Sequence, residues 1–178
     1  MHICVYCSSS DRIPEHYQGL ASELGAGLAR RGWPLVYGGA SVGLMGVVAR
    51  AVHAAGGQVI GIIPQALLDR EIAYLGADEL TVTTTMRERK RLMDERASAF
   101  VTLPGGFGTL EELLEVMTLK QLGIHRKPII IVNAEGFFDP LLAQFERCFE
   151  QSFTYTRHRS IYSVVSCVDE VFELLEQM

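Results

Sequence analysis

At 178 residues, with 48% hydrophobic and 21% charged side chains, the chain can bury a substantial core and is far from a disordered composition. A formal charge of -5 argues against general nucleic-acid binding, which calls for a net basic face, but leaves room for a local basic cluster that grips a phosphorylated small molecule. The start, Met1-His2-Ile3-Cys4-Val5-Tyr6, lacks a charged leader, and no apolar run reaches membrane-spanning length, so a cytoplasmic protein without membrane association is expected.

The first element is an apolar, β-rich run at His2–Cys7. Cys4 and Cys7 form a C-x-x-C inside it, but residues three apart on a strand point to opposite faces, and no second cysteine pair completes a metal site. Buried strand cysteines are expected. Ser8-Ser9-Ser10 follows and suits either donation to a phosphate or base, a polar turn, or a cap for the next helix. That helix, Glu15–Arg31, carries Leu20, Leu24 and Leu28 at four-residue spacing and ends at Gly32. A strand at Leu35–Tyr37 leads into the Gly-rich turn Gly38–Gly46, then a helix at Leu44–Ala55 and a strand at Gln58–Ile63. Leu80–Thr84 is a weaker strand, resting on β-branched residues. The charged helix Met86–Ala97 precedes a strand at Ala99–Leu103, and the helix Thr109–Leu122 precedes another at Pro128–Val132. These two strands hardly alternate, as expected when both faces are covered. Helices at Pro140–Gln151 and Val168–Gln177 close the chain.

Alternating strands and helices without repeats or linkers predict an α/β fold, a single Rossmann-like domain over residues 1–178 with an open, mostly parallel sheet and helices on both faces. In such sheets ligands bind beyond the C-terminal strand ends, where Ser8–Ser10, Gly38–Gly46 and Pro104–Thr109 fall.

Of these, Pro104-Gly105-Gly106-Phe107-Gly108-Thr109 is the strongest anion site. Its glycines admit a close backbone approach, and the helix behind it offers unpaired N–H groups and the positive end of its dipole. It lacks the Gly-Lys-Ser/Thr of a Walker loop and the spacing of a dinucleotide fingerprint. Thr109-x-x-Glu112 also matches a capping box, so these two residues read equally as a helix cap or as site groups. Gly38–Gly46 reads as a tight packing turn or as a further wall of a nucleotide site. The run Met86-Arg87-Glu88-Arg89-Lys90-Arg91-Leu92-Met93 reads as a solvated face, or as cations on the ligand rim beside methionines that could line a slot for a base. Arg89 and Met93 share one helix face, Arg87 and Arg91 another. The five histidines show no metal-ligand spacing, and the three lysines lack the apolar context of a Schiff-base lysine.

The pair Met86-x-x-Arg89-Lys90 and Pro104-Gly105-Gly106-x-Gly108-Thr109-x-x-Glu112 resembles the signature of the Lonely Guy family of cytokinin riboside 5′-monophosphate phosphoribohydrolases, many formerly labelled lysine decarboxylases. The likeness extends through Val5–Ser10, Gly38–Gly46, Ile62-Ile63-Pro64 and Pro128–Asn133, with Ser8, Ala40 and Arg87 standing where the family often has Gly, Gly and His. The resemblance implies a homodimeric Rossmann-like enzyme, without cofactor or metal, that takes a small nucleotide and releases an adenine-type base and ribose 5-phosphate. It makes Arg89 and Glu112 the catalytic pair, gives the phosphate to Gly105, Gly106, Gly108 and Thr109, and places Ser9, Met86 and Lys90 in the nucleotide pocket. A molybdenum-cofactor carrier of the same fold is the alternative of another class, and lysine decarboxylation, which would need pyridoxal phosphate and a committed lysine, a third.

Overall fold

Ile129-Ile130-Ile131-Val132 offers water no polar side chain on either face, and it forms strand β6 (Ile129–Val132), buried along its whole length. Each such side chain contributes roughly 1.5–3 kcal/mol by leaving water. The same logic builds β1 (Ile3–Tyr6), β2 (Leu35–Tyr37), β3 (Val59–Pro64) and β5 (Ala99–Thr102), all fully buried, while β4 (Glu79–Thr83) and β7 (Ser163–Val165) are partly exposed. The helices are α1 (Glu15–Arg30), α2 (Gly43–Ala54), α3 (Gln65–Leu68), α4 (Met86–Arg96), α5 (Phe107–Gln121), α6 (Asp139–Glu150) and α7 (Val168–Glu176). This computed structural model describes residues 1–70 and 72–177.

Among the described residues the strands form one seven-stranded sheet in the order β4-β3-β2-β1-β5-β6-β7. Every strand pairing is parallel, so the sheet is wholly rather than mostly parallel. Val5 of β1 stands between Tyr37 of β2 and Val101 of β5. The chain winds outward from β1 to β4, then returns to the other side of β1 to lay down β5, β6 and β7. That reversal makes the crevice beyond the C-terminal ends of β1 and β5 the topological switch point, where open sheets of this kind bind ligands.

Two apolar layers cover the sheet. Leu24 and Leu28 of α1, Val48 and Val52 of α2 and Val171 of α7 pack on one face, and Met93 of α4, Leu113 and Val116 of α5 and Phe138 pack on the other. Cys7 lies in the first layer and Cys4 in the second, so the C-x-x-C is split across the sheet as its spacing predicts. Both thiols are free, and burial pushes both well above the usual thiol range.

Three local features depart from the sequence reading. β7 and the single-turn α3 are additional, and α5 starts at Phe107, two residues before the expected Thr109. Gly106 is therefore its N-cap and Thr109 lies within the first helical turn.

Candidate active site

Three loops meet at the switch point. After β1, the Ser8 N–H donates to Pro104 O at 3.2 Å, which ties the serine turn to the loop after β5. After β2, the backbone turns at Gly39 and Gly43, with φ of 77° and 56°, values that favour glycine. Together these loops and α4 enclose a cleft of about 490 Å³.

The two Gly-rich turns do different work. At the start of α2, the Gly43 N–H donates to Asp11 Oδ1 at 2.8 Å and the Met45 N–H donates to Ser8 O at 3.3 Å, so that helix end is already supplied with acceptors. At the start of α5, the N–H groups of Phe107, Gly108 and Thr109 meet no acceptor among the described residues, and Leu110 is the first to bond back, to Gly106 O at 3.1 Å. Unpaired amides at the positive end of a helix form an anion site. Gly38–Gly46 thus contributes a wall and residues 106–109 contribute the donors.

Thr109 and Glu112 are not a cap. Thr109 is inside the helix, no side chain caps it, and the Glu112 carboxylate accepts a hydrogen bond from Arg89 Nη1 at 2.9 Å. A cap of that type begins α4 instead: Thr85 Oγ1 accepts from the Glu88 N–H at 3.1 Å, and Glu88 Oε2 accepts from the Thr84 N–H at 2.9 Å. This fixes the turn from which Arg89 projects. Met93, four residues on, is buried beside it, whereas Arg87 and Arg91 face solvent.

Arg89 and Glu112 are each only 5% exposed as side chains. Arg89 Nε donates to Ile62 O at 3.1 Å, so β3 holds one edge of the guanidinium while α5 holds another. Burial pushes the Glu112 carboxyl above the usual glutamate range, and the Arg89 cation works against that rise. A carboxylate so placed feels little water and acts strongly on any positive charge that develops nearby.

Seven of the nine expected site residues line the cleft: Ser9, Met86, Arg89, Gly106, Gly108, Thr109 and Glu112. Gly105 stands behind it, where an added Cβ would overlap Thr109 Oγ1 and lie 2.6 Å from Thr109 Cβ. Lys90 lies outside, in a separate polar hollow between α4 and α5, with its ammonium paired to Glu111 and, at 2.8 Å, to Glu115. Burial tends to lower Lys90, and the two carboxylates outweigh it and hold the ammonium above the usual lysine range. The serine turn does not cap α1: Ser8 Oγ accepts from the Ser10 N–H at 3.1 Å, and Ser10 Oγ from the Arg12 N–H at 3.2 Å. Of the three departures noted in the sequence, Ser8 and Ala40 line the cleft, and Arg87 lies outside it.

Leu67, Arg70 and Ile72 complete the cleft without any forewarning in the sequence. Ile72 is held by a long-range backbone bond, from the Ser41 N–H to Ile72 O at 2.7 Å, and the Tyr74 N–H donates to Gly39 O at 2.8 Å. Such pairing leaves no local periodicity to read.

Residues 45–178 match the model of the family described as "Possible lysine decarboxylase". The cytokinin riboside 5′-monophosphate phosphoribohydrolase LOG of Oryza sativa subsp. japonica is 46% identical over 175 residues, covering 98% of this chain and 72% of that protein. The chain belongs to the Lonely Guy family. A second member, cytokinin riboside 5′-monophosphate phosphoribohydrolase LOG2 of Arabidopsis thaliana, is 43% identical over 98% of this chain and 82% of its own length. Among solved structures, the molybdenum cofactor binding protein of Rippkaea orientalis superposes with a TM-score of 0.76 at 22% identity, covering 99% of this chain and 95% of that one. The molybdenum cofactor carrier protein of Chlamydomonas reinhardtii gives 0.75 at 22% identity, covering 99% and 96%. Likeness at that identity shows the shared Rossmann-like fold. The family's older description as lysine decarboxylase finds no counterpart in the cleft, which is lined by none of Lys90, Lys120 or Lys127.

Proposed function

We propose that this chain hydrolyses the N-glycosidic bond of adenine-type nucleoside 5′-monophosphates, AMP or its N6-prenylated forms, to free base and ribose 5-phosphate. The observation that carries the reading is the buried Arg89–Glu112 pair beside the open amides of α5 in one cleft. Relatives at 46% and 43% identity that are named for this activity on cytokinin riboside 5′-monophosphates support it.

The 5′-phosphate sits on the amides of residues 106–109, and that contact positions the sugar for reaction. The C1′–N bond breaks with its electron pair leaving on the base, which takes up a proton from solvent. The positive charge left on the ribosyl carbon is stabilised by Glu112, and water adds at C1′, passing a proton to Glu112, which returns it to solvent. Arg89 favours the ionised form of Glu112 against the pull of burial and orients it, since its Nη1 and Nε are committed to Glu112 and Ile62 O.

The test is base release from AMP, a prenylated AMP, other nucleoside monophosphates and free nucleosides, followed by chromatography with ribose 5-phosphate as the co-product. Release from monophosphates and not from nucleosides is expected. Inertness of every monophosphate overturns the reading, and tight binding without release turns it toward a carrier. The same reading makes the enzyme a cytoplasmic homodimer. Phe107, 93% exposed, and Leu114, two turns along α5, supply apolar surface for a second copy, and sedimentation analysis tests that state.

A further inference from the structure

Arg89 is gripped on more sides than its hydrogen bonds reveal. Its Nη1 meets Glu112 and its Nε meets Ile62 O, and its remaining nitrogen, Nη2, rests directly over the Cα of Gly38. A Cβ built on Gly38 would overlap Nη2, come within 3.1 Å of Arg89 Cζ and within 3.2 Å of Met45 Sδ. The backbone at Gly38, unlike that at Gly39 with φ of 77°, does not adopt the left-handed conformation that favours glycine. Space for the guanidinium, and not backbone geometry, is what this position demands.

We infer that Gly38 is a positioning residue for catalysis, its bare Cα forming the seat that holds the Arg89 guanidinium against Glu112. The inference rests on the hydrolytic reading of the site for its catalytic consequence, though the contact itself does not. Any side chain at position 38 occupies the seat, and the atoms it meets first are the ends of two flexible side chains, Arg89 and Met45. The fold therefore accommodates alanine by swinging the guanidinium aside, which leaves Glu112 buried and without its cation. The charged and titratable groups around Glu112 are Arg89 and Lys90 on α4, Glu111 on its own helix, and Cys4, Tyr6 and Cys7 at and just beyond β1. Arg89 is first among those that favour the ionised carboxylate, so its displacement pushes the Glu112 carboxyl further up.

The test compares the wild type, Gly38→Ala, Arg89→Lys and the double variant. Gly38→Ala is expected to lower kcat by about 10²-fold, the cost of misplacing a catalytic group by an ångström or so, with KM changed only a few-fold. Its acid limb in kcat/KM moves to higher pH, a response that loose packing alone would not give. An unmoved limb, or an unchanged kcat, overturns the proposal. In the Arg89→Lys background the slim ammonium leaves the seat vacant, so adding Gly38→Ala changes neither Tm nor rate appreciably. An equal loss in both backgrounds overturns the coupling even if the single variant folds poorly. Titration of the Glu112 carboxyl carbon by 13C NMR reads the displacement without turnover. A wild type that releases no base refutes the hydrolytic reading, and an unshifted carboxyl in Gly38→Ala refutes the role of Gly38.

Discussion

Arg89 on α4 and Glu112 on α5, 23 positions apart in sequence, meet at 2.9 Å in a site where neither side chain is more than 5% exposed. A buried pair of this kind is weak evidence for stability, because both ions give up their hydration, but removing one partner strands the other. Glu112→Gln leaves a charge uncompensated, the Arg89 guanidinium, but keeps an oxygen that can accept from it. The fold and nucleotide binding should therefore persist at a lower Tm while kcat falls by about 10²–10⁴-fold. Arg89→Met leaves an uncompensated buried carboxylate and should cost about 3–5 kcal/mol in addition to turnover. Thermal melts beside single-turnover base release separate the two, and wild-type release by Glu112→Gln would remove Glu112 from the chemistry.

The pH profile follows from the same pair. Burial raises Glu112 above the ordinary 4.5, and Arg89 only partly offsets the rise. The group must lose its proton to act as a carboxylate, so activity increases with pH and the acid limb of kcat/KM lies above 4.5. For folding the sign is the reverse of the usual carboxylate. The native state holds this proton more tightly than the unfolded chain does, so its contribution to stability declines as pH rises from the unfolded to the native pKa. A pH–rate series for the wild type and Glu112→Gln checks the assignment, with the limb expected to vanish in the variant.

Gly105 and Gly108 stand three residues apart in one loop for different physical reasons. A methyl at Gly105 would overlap Thr109, whereas a methyl at Gly108 would meet nothing within 4 Å beyond its chain neighbours and its own helix backbone. Gly105→Ala is therefore an overpacking change, expected to cost about 1–3 kcal/mol and to disturb the first turn of α5. Gly108→Ala lies inside a helix and should hold or raise Tm, since alanine is favoured there by up to about 1 kcal/mol. Both should raise KM for nucleotide, the second without loss of stability. A normal KM in Gly108→Ala would argue against phosphate binding at this turn.

The sheet was legible where strands are buried on both faces. β5 and β6 read directly as apolar runs, whereas β7 is three residues long with only Val165 buried, too little for any period to register. The start of α5 was misread because Gly106 carries no capping side chain and Phe107 points almost wholly into solvent, so neither marks a helix. The four-residue spacing showed that Arg89 shares a helix face with Met93, which is buried, but only the family resemblance singled Arg89 out from its neighbouring cations. The place of Lys90 was not legible, because what removes it from the cleft is its pairing with Glu111 and Glu115 on another helix. Leu67, Arg70 and Ile72 line the cleft, with Ile72 bonded to Ser41 and nearby Tyr74 to Gly39, a relation that only the folded chain contains.

The capping question reduces to a comparison of two threonines. Thr85 accepts from the Glu88 N–H at 3.1 Å and begins the helix that carries Arg89, whereas Thr109 lies inside α5 and lines the cleft. Thr85→Ala removes a cap and should cost about 1 kcal/mol, lowering Tm by about 2–4 °C for a chain of this size. Because Arg89 projects from the next turn, kcat should fall modestly with it. Thr109→Val keeps the shape of the side chain and deletes only the hydroxyl, so Tm should hold while KM for the monophosphate rises, by the worth of a hydrogen bond to a charged group, about 1.5–3 kcal/mol. Melting curves and steady-state kinetics on both variants decide the matter. If Thr109→Val loses the stability of a cap and binds nucleotide normally, the first turn of α5 is architecture, and the phosphate must be held elsewhere in the cleft.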